Sequence, residues 1–299
     1  MNLESLVNTV INKDNFLTIQ NYIDFALRYL DFIPDNLQAK IVSQNENNYH
    51  FFQYKKDGTF NITRPINSNL MYKRQDIDDS LVIFKKMLKD IQNPEFRTSS
   101  NRNIINNVVY TMQQSIGAAL DALPANKSNT ARKINGDLFE RLILLLLNKI
   151  GIVCRSGVVQ IPIKIDGEIA FKWKYQHDII IEDGDETLAI GSVKTSSKDR
   201  IDKIFIDKFL YNRLIEKSVH HFAIFLNDVQ RKNTKKPNKY GINSTFLSGH
   251  FKGYTVKLNP LDGVYYCDIR PNMLTEDILK DHIKTFDHLI MEDVWNFLR

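Results

Sequence analysis

A chain of 299 residues, 43% hydrophobic and 25% charged, has the make-up of a globular protein with one large domain or two small ones, which excludes a disordered or fibrous chain. The net charge of +5, with a pI near 8.9, permits a polyanionic partner without requiring one. Two cysteines outside any CxxC spacing exclude a disulfide scaffold or zinc framework, and with no leader-like N-terminus and no apolar run longer than Leu142 to Leu147 the expected location is cytoplasmic.

Apolar periodicity predicts helices within residues 3–34, where Leu3, Leu6, Val7 and Val10 are followed by Phe16, Ile19, Tyr22, Ile23, Phe25 and Ala26. Tyr49 to Tyr54 and Thr59 to Thr63 flank Asp57-Gly58, which predicts a hairpin whose aromatics Tyr54 and Phe60 pack a core. Helices are expected again over 76–91 and 104–123. The polar, basic stretch from Pro124 to Lys133 is the best candidate for a boundary or hinge. It divides a mainly helical N-terminal region, 1–125, suited to supporting DNA binding or dimerisation, from a compact core, 126–299.

Within that core a strongly apolar helix is expected over 138–150, ended by Gly151 and carrying Glu140. Strands are expected at 152–154, 158–165 and 169–173. The β-branched Asp178-Ile-Ile-Ile181, the turn residues 182–186 and the apolar 188–194 then read as a hairpin. With the turn near Gly184, Asp178 falls roughly opposite Gly191, beside Ser192 and Lys194, which themselves share one strand face. A carboxylate and a lysine meeting across neighbouring strands suit metal-dependent phosphodiester hydrolysis: the carboxylate holds a cation, and the ammonium orients water or offsets charge on the phosphorane.

A helix is expected over 202–217, then a strand at 220–226 buried on both faces. His177, His220 and His221 are read as packing or hydrogen-bonding residues. The run from Gln230 to Tyr240 carries five basic residues and no acid, which suits either a solvated loop or a phosphate clamp. Strands are expected at 254–258 and 264–269, and one long amphipathic helix over 276–298.

The ordered set Asp178, hairpin turn, Ser192-Val193-Lys194 resembles the PD-(D/E)XK nuclease superfamily, with His177-Asp178 in place of Pro-Asp and Ser192 in place of the second acid. It is most similar to the type II restriction endonucleases that read CCGG, CCNGG or CCWGG cores. That subset carries Ser or Ala at the same position and recruits a carboxylate from the following helix, about 13 residues past the lysine. Asp207 stands there. The subset also places a basic-acidic-basic triplet after a three-residue spacer, matched here by Lys198-Asp199-Arg200. Arg200 can donate bidentately to guanine and Asp199 can accept from cytosine, whereas Lys198 lacks the planar fork of the usual arginine.

The resemblance implies a mixed α/β, restriction-endonuclease-like core and a Mg²⁺-dependent enzyme that cuts both strands of a palindromic double-stranded DNA site with a CC/GG core, leaving 5′ overhangs. Asp178 and Asp207 would bind the metal, Lys194 handle the attacking water, Ser192 mark the vacated acidic position, and Glu140 lie near the metal. Two active sites imply a homodimer or a tetramer of dimers, and a cognate DNA methyltransferase would act on the same site. Each residue alone has an ordinary reading: a strand cap for Asp178, a solvated helix start for Lys198 to Arg200, an exposed helix acid for Asp207, an ion pair with Arg141 or Lys133 for Glu140. The rival functions are a less specific endonuclease of this superfamily, a DNA-binding protein on a decayed nuclease fold, and a structural module indifferent to DNA.

Overall fold

The computed structural model describes residues 2–54, 62–184, 186–198, 200–233 and 239–299, with the side chains of Lys164 and Asn233 also left out. Helix α1 (Leu3–Ile11) opens where the Asn2 side chain accepts the Ser5 N–H, and α2 (Ile19–Asn36) opens on a capping box between Thr18 and Asn21. Strands β1 (Leu37–Val42), β2 (Tyr49–Tyr54) and β3 (Ile66–Asn67) form a small antiparallel sheet. The expected turn at Asp57-Gly58 lies outside the described residues, but Gln53 bridges Ile62 antiparallel on its far side. Helix α3 (Asp78–Met87) follows, and then α4 (Ser99–Leu120), which is buried on every side from Val108 onward because the residues from there to Leu120 are nearly all apolar, small or amide-bearing.

Residues 128–133, expected as part of a boundary or hinge, are helical. After a short 3₁₀ turn the chain enters α5 (Ser128–Lys149) at once, since Ala131 and Ile134 find burial against the core and the buried Asn135 accepts from Gln113 at 3.0 Å. One apolar cluster runs from Leu6 through Phe139 and Ile179 to Phe297, so it crosses residue 125 without a break.

Strands β4 (Cys154–Ile165), β5 (Glu168–Asp183) and β6 (Glu186–Lys194) come next, the expected separate segments at 152–173 being two long strands. Helix α6 (Ile201–Ile215) leads to β7 (His220–Phe225), and β8 (Val229–Asn233) with β9 (Tyr240–Ser244) forms a separate hairpin. The segment expected as a strand at 254–258 belongs to helix α7 (Ser248–Lys257). Its Thr-Val pair favours extended chain locally, but Phe251 and Tyr254 pack on Phe205 only at helical spacing. Strands β10 (Gly263–Tyr266) and β11 (Ile283–Thr285) complete a mixed six-stranded sheet of order β11-β10-β7-β6-β5-β4. β7 is interior and β6, β7, β10 and β11 run parallel, while β4, β5 and β6 are antiparallel.

The single C-terminal helix expected over 276–298 is broken. Ile283–Thr285 pairs with the open edge of β10, whose ladder groups reward an extended segment, and a π-helical turn at Leu289–Asp293 follows. Arg102 of α4 holds this end through ion pairs with Asp287 and Glu292. Among the described residues no helix is long and apolar enough to cross a membrane.

Candidate active site

The hairpin β5–β6 sets the site, one residue out of the expected register. Ile179, not Asp178, lies opposite Gly191, because a bulge between Ile181 and Glu182 takes up one residue near the turn. Asp178 therefore stands beside Ser192, at the point where β5 and β6 part. The close approach continues to the other neighbour: a Cβ on Gly191 would come within 2.5 Å of the Phe222 ring, so only glycine lets β6 pack there.

At this fork Asp178 accepts the Val193 N–H at 2.8 Å and forms an ion pair with Lys194. Glu140, from the middle of α5, reaches the same Lys194 Nζ at 3.1 Å. Lys194 and Glu140 are each 30% exposed and Asp178 18%, so a small solvent-facing cluster of two carboxylates and one ammonium results. Burial disfavours the charged lysine, but Asp178 and Glu140 outweigh it and hold the ammonium above its usual range. Glu140 is raised, chiefly by burial and then by the charge of Asp178. The Lys194 side chain is thus a cationic donor at neutral pH rather than a proton acceptor.

Asp207 is placed differently. It accepts from the Tyr175 hydroxyl at 2.7 Å and from Lys203 at 2.5 Å, and it makes no hydrogen bond or ion pair with Asp178, Glu140 or Lys194. Among the described residues no three acidic, histidine or cysteine side chains are grouped to hold a metal. The pair Asp178 and Glu140 nevertheless suits a hydrated divalent cation: each keeps one carboxylate oxygen, Oδ1 and Oε2, without a hydrogen bond to another described residue, and both meet at one ammonium. The Ser192 hydroxyl is half-buried and makes no hydrogen bond with another described residue.

His177 stacks on Tyr175, with ring centroids 5.1 Å apart, and meets the edge of Tyr211. Burial brings its pKa down to about 4, and that of His221 likewise, so both are neutral packing rings as expected.

The loop after Lys194 is braced from behind. Ser196 and Ser197 lie 3.2 and 3.1 Å from the Thr245 hydroxyl, which donates to the Asp228 carbonyl at 2.7 Å. With Ser197 buried, Lys198 and Arg200 are turned out to solvent, and neither forms an ion pair with another described residue. Asp199 lies outside the described residues. Sequence reasoning missed Thr245 and Asp228, since nothing in a lone Thr or Asp marks a partner some fifty residues away.

No protein-family model matches this chain, and no curated protein matches it. Among solved structures, the crystal structure of the type IIP restriction endonuclease Kpn2I superposes with a TM-score of 0.70 over 99% of this chain and 97% of that one, at 17% identity. The chain has the restriction-endonuclease fold. A restriction endonuclease PspGI–substrate DNA complex is a more distant likeness, with a TM-score of 0.45, 15% identity, and 75% of this chain and 94% of that one covered. Within the restriction-endonuclease fold, the expectation of a mixed α/β core with a helical N-terminal part holds over the whole length.

Proposed function

We propose that the chain is a type II restriction endonuclease that hydrolyses both strands of a short palindromic double-stranded DNA with a CC/GG core, using Mg²⁺ and leaving 5′ overhangs. The observation that carries the catalytic part is the convergence of Asp178, Glu140 and Lys194 at the fork of the hairpin in a restriction-endonuclease fold. The CC/GG core rests on Lys198-Asp199-Arg200 and its spacing from Lys194, and the overhang on the family resemblance alone.

Asp178 and Glu140 would hold the Mg²⁺, which supplies Lewis-acid polarisation of the phosphoryl oxygen and a more acidic water. Lys194, cationic and fixed between the two acids, donates to the attacking water or the non-bridging oxygens and offsets charge in the transition state. The Val193 N–H fixes the Asp178 carboxylate against the strand. Asp207, the acid that the family resemblance would make a further metal ligand, is held by Tyr175 and Lys203. Glu140→Gln is therefore expected to raise the Mg²⁺ concentration needed for half-maximal cleavage about 10- to 100-fold, and Asp207→Asn to raise it less. Titrating Mg²⁺ against initial cleavage rate checks both, and equal sensitivity of the two variants would reassign Asp207 as an equal ligand.

Arg200→Ala should cost about 1–3 kcal/mol in discrimination for the specific site while leaving nonspecific DNA affinity nearly unchanged. Competition binding against mismatched duplexes measures it. Digestion of unmethylated phage DNA with sequencing of the ends tests the whole reading. Discrete fragments with common CC/GG-containing ends support it, and a cognate methyltransferase modifying that site would protect the DNA. A smear favours a less specific endonuclease. Binding without cutting favours a decayed nuclease, the reading that Ser192 and the engaged Asp207 would then explain.

A further inference from the structure

The bonds behind the loop after β6 share one polarity. The Asp228 carbonyl accepts both the N–H and the hydroxyl of Thr245, at 2.5 and 2.7 Å. A hydroxyl has one proton to give, so toward Ser196 and Ser197, 3.2 and 3.1 Å away, the Thr245 oxygen is an acceptor only and both serines donate to it. The Ser196 oxygen in turn accepts the Lys198 N–H at 3.3 Å, and the Ser197 carbonyl accepts the Arg200 N–H at 3.2 Å. One run of donors therefore leads from the Lys198 backbone through Ser196 and Thr245 to Asp228, and each bond polarises the next. With Ser197 and Thr245 buried, water is a poor substitute for these bonds.

The far end of the run is anchored. Asp228 is buried, and its carboxylate accepts the Ser244 hydroxyl at 2.6 Å, which closes the foot of the β8–β9 hairpin where Val229 pairs with Ser244. That hairpin sits in turn on the small N-terminal sheet. Val229 and Ile242 are buried with Tyr49 and Phe51 of β2, and the Asn45 side chain accepts the Ile242 N–H and donates to its carbonyl, each at 2.9 Å. We propose that Thr245 is a specificity-determining positioning residue, which fixes the backbone of Lys198 and Arg200 through Ser196 and Ser197 against a hairpin mounted on the N-terminal sheet. Reading a base edge needs donors held to within about 0.5 Å, and a long exposed side chain keeps such a position only if its backbone is held. Lys194 is fixed separately, by Asp178 and Glu140, so the strut bears on which sequence is accepted rather than on the cleavage step. This role rests on the reading of Lys198 and Arg200 as base-reading residues; the strut itself does not.

Amide exchange at Lys198, and cleavage of matched and single-mismatch duplexes by the full chain, are the test. Thr245→Val keeps the size and removes the hydroxyl, whereas Thr245→Ser keeps the hydroxyl. Ser196→Ala breaks the run at a half-buried position, away from the packed core. In Thr245→Val and Ser196→Ala the Lys198 amide should exchange about tenfold faster than in the wild type. The ratio of kcat/KM for matched over mismatched duplex should fall about tenfold in both, through KM, with kcat on the matched duplex within about threefold. Thr245→Ser should behave as the wild type in every respect. Unchanged exchange in Thr245→Val, unchanged discrimination despite faster exchange, or a serine variant as impaired as the valine one would overturn the proposal. Faster exchange in a chain that cuts no DNA would sink the nuclease reading, and the specificity role with it, and leave the strut standing. A wild type that cuts at one site, with exchange and discrimination both indifferent to Thr245, would do the reverse.

Discussion

Lys194→Ala should cut DNA about 10²–10³-fold more slowly than the wild type while binding it with similar affinity, the usual loss when one preorganised donor to a developing charge is removed. The loss should lie in the cleavage step rather than in DNA binding, because the ammonium is committed to Asp178 and Glu140 and not to the open groove. A second effect separates this residue from an ordinary surface lysine. Its removal leaves two carboxylates facing each other without a counter-charge, and burial with mutual repulsion already raises Glu140 in the wild type. The variant should be less stable than wild type in a chelator and should gain more thermal stability on adding Mg²⁺, since a ligand bound to the native state stabilises it by mass action. Single-turnover cleavage and thermal melts with and without Mg²⁺ check both halves. Unchanged cleavage would remove Lys194 from the mechanism, and an equal Mg²⁺ response in both proteins would move the metal away from Asp178 and Glu140.

What the sequence shows of this site is what lies close along the chain. Asp178, Ser192 and Lys194 are legible because a hairpin turns a spacing into a juxtaposition, and even there one bulge shifts the register by a residue. The meeting of Glu140 with Lys194 spans 54 residues and depends on how α5 lies across the sheet, which periodicity does not encode. Asp207 is legible as a spacing, yet its bonds to Tyr175 and Lys203 belong to the side-chain packing of β5 and α6. The strand misread at 254–258 and the helix misread at 276–298 have one cause. Local propensity and apolar period decide only where tertiary contacts do not, and Phe205 in one case and the open edge of β10 in the other supply such contacts.

Asp268→Asn should leave stability near that of the wild type at pH 4 and raise it above the wild type at pH 8, with the gap growing by roughly 4 kcal/mol across that range at most. Asp268 follows β10 and is almost wholly buried, accepting from Tyr49 of β2 at 2.9 Å and Asn67 of β3 at 2.8 Å, so it fastens the small N-terminal sheet to the core. Burial raises its pKa to about 7; the bonds from Asn67 and Tyr49 pull it down and the nearby Asp228 pushes it up. Arg270 cannot neutralise it fully, being ion-paired to Glu46 and 3.9 Å from Asp228. The folded chain thus keeps a proton that the unfolded chain releases near its ordinary value of 3.8. Between those two values the native state binds more protons, so this contribution is complete below about pH 4 and is lost as the pH rises through about 7. His177 and His221 act in the opposite sense, both lowered from 6.5 to about 4, and cost stability as the pH falls through that interval. Their slope is common to both proteins and cancels in the comparison. Asparagine has the shape and the donor of the protonated acid, which is why the two should coincide on the acid side. Urea denaturation from pH 4 to 8 gives the difference directly, and a gap that does not change with pH would mean that Asp268 is ionised in the folded protein and its charge is met by Arg270 after all.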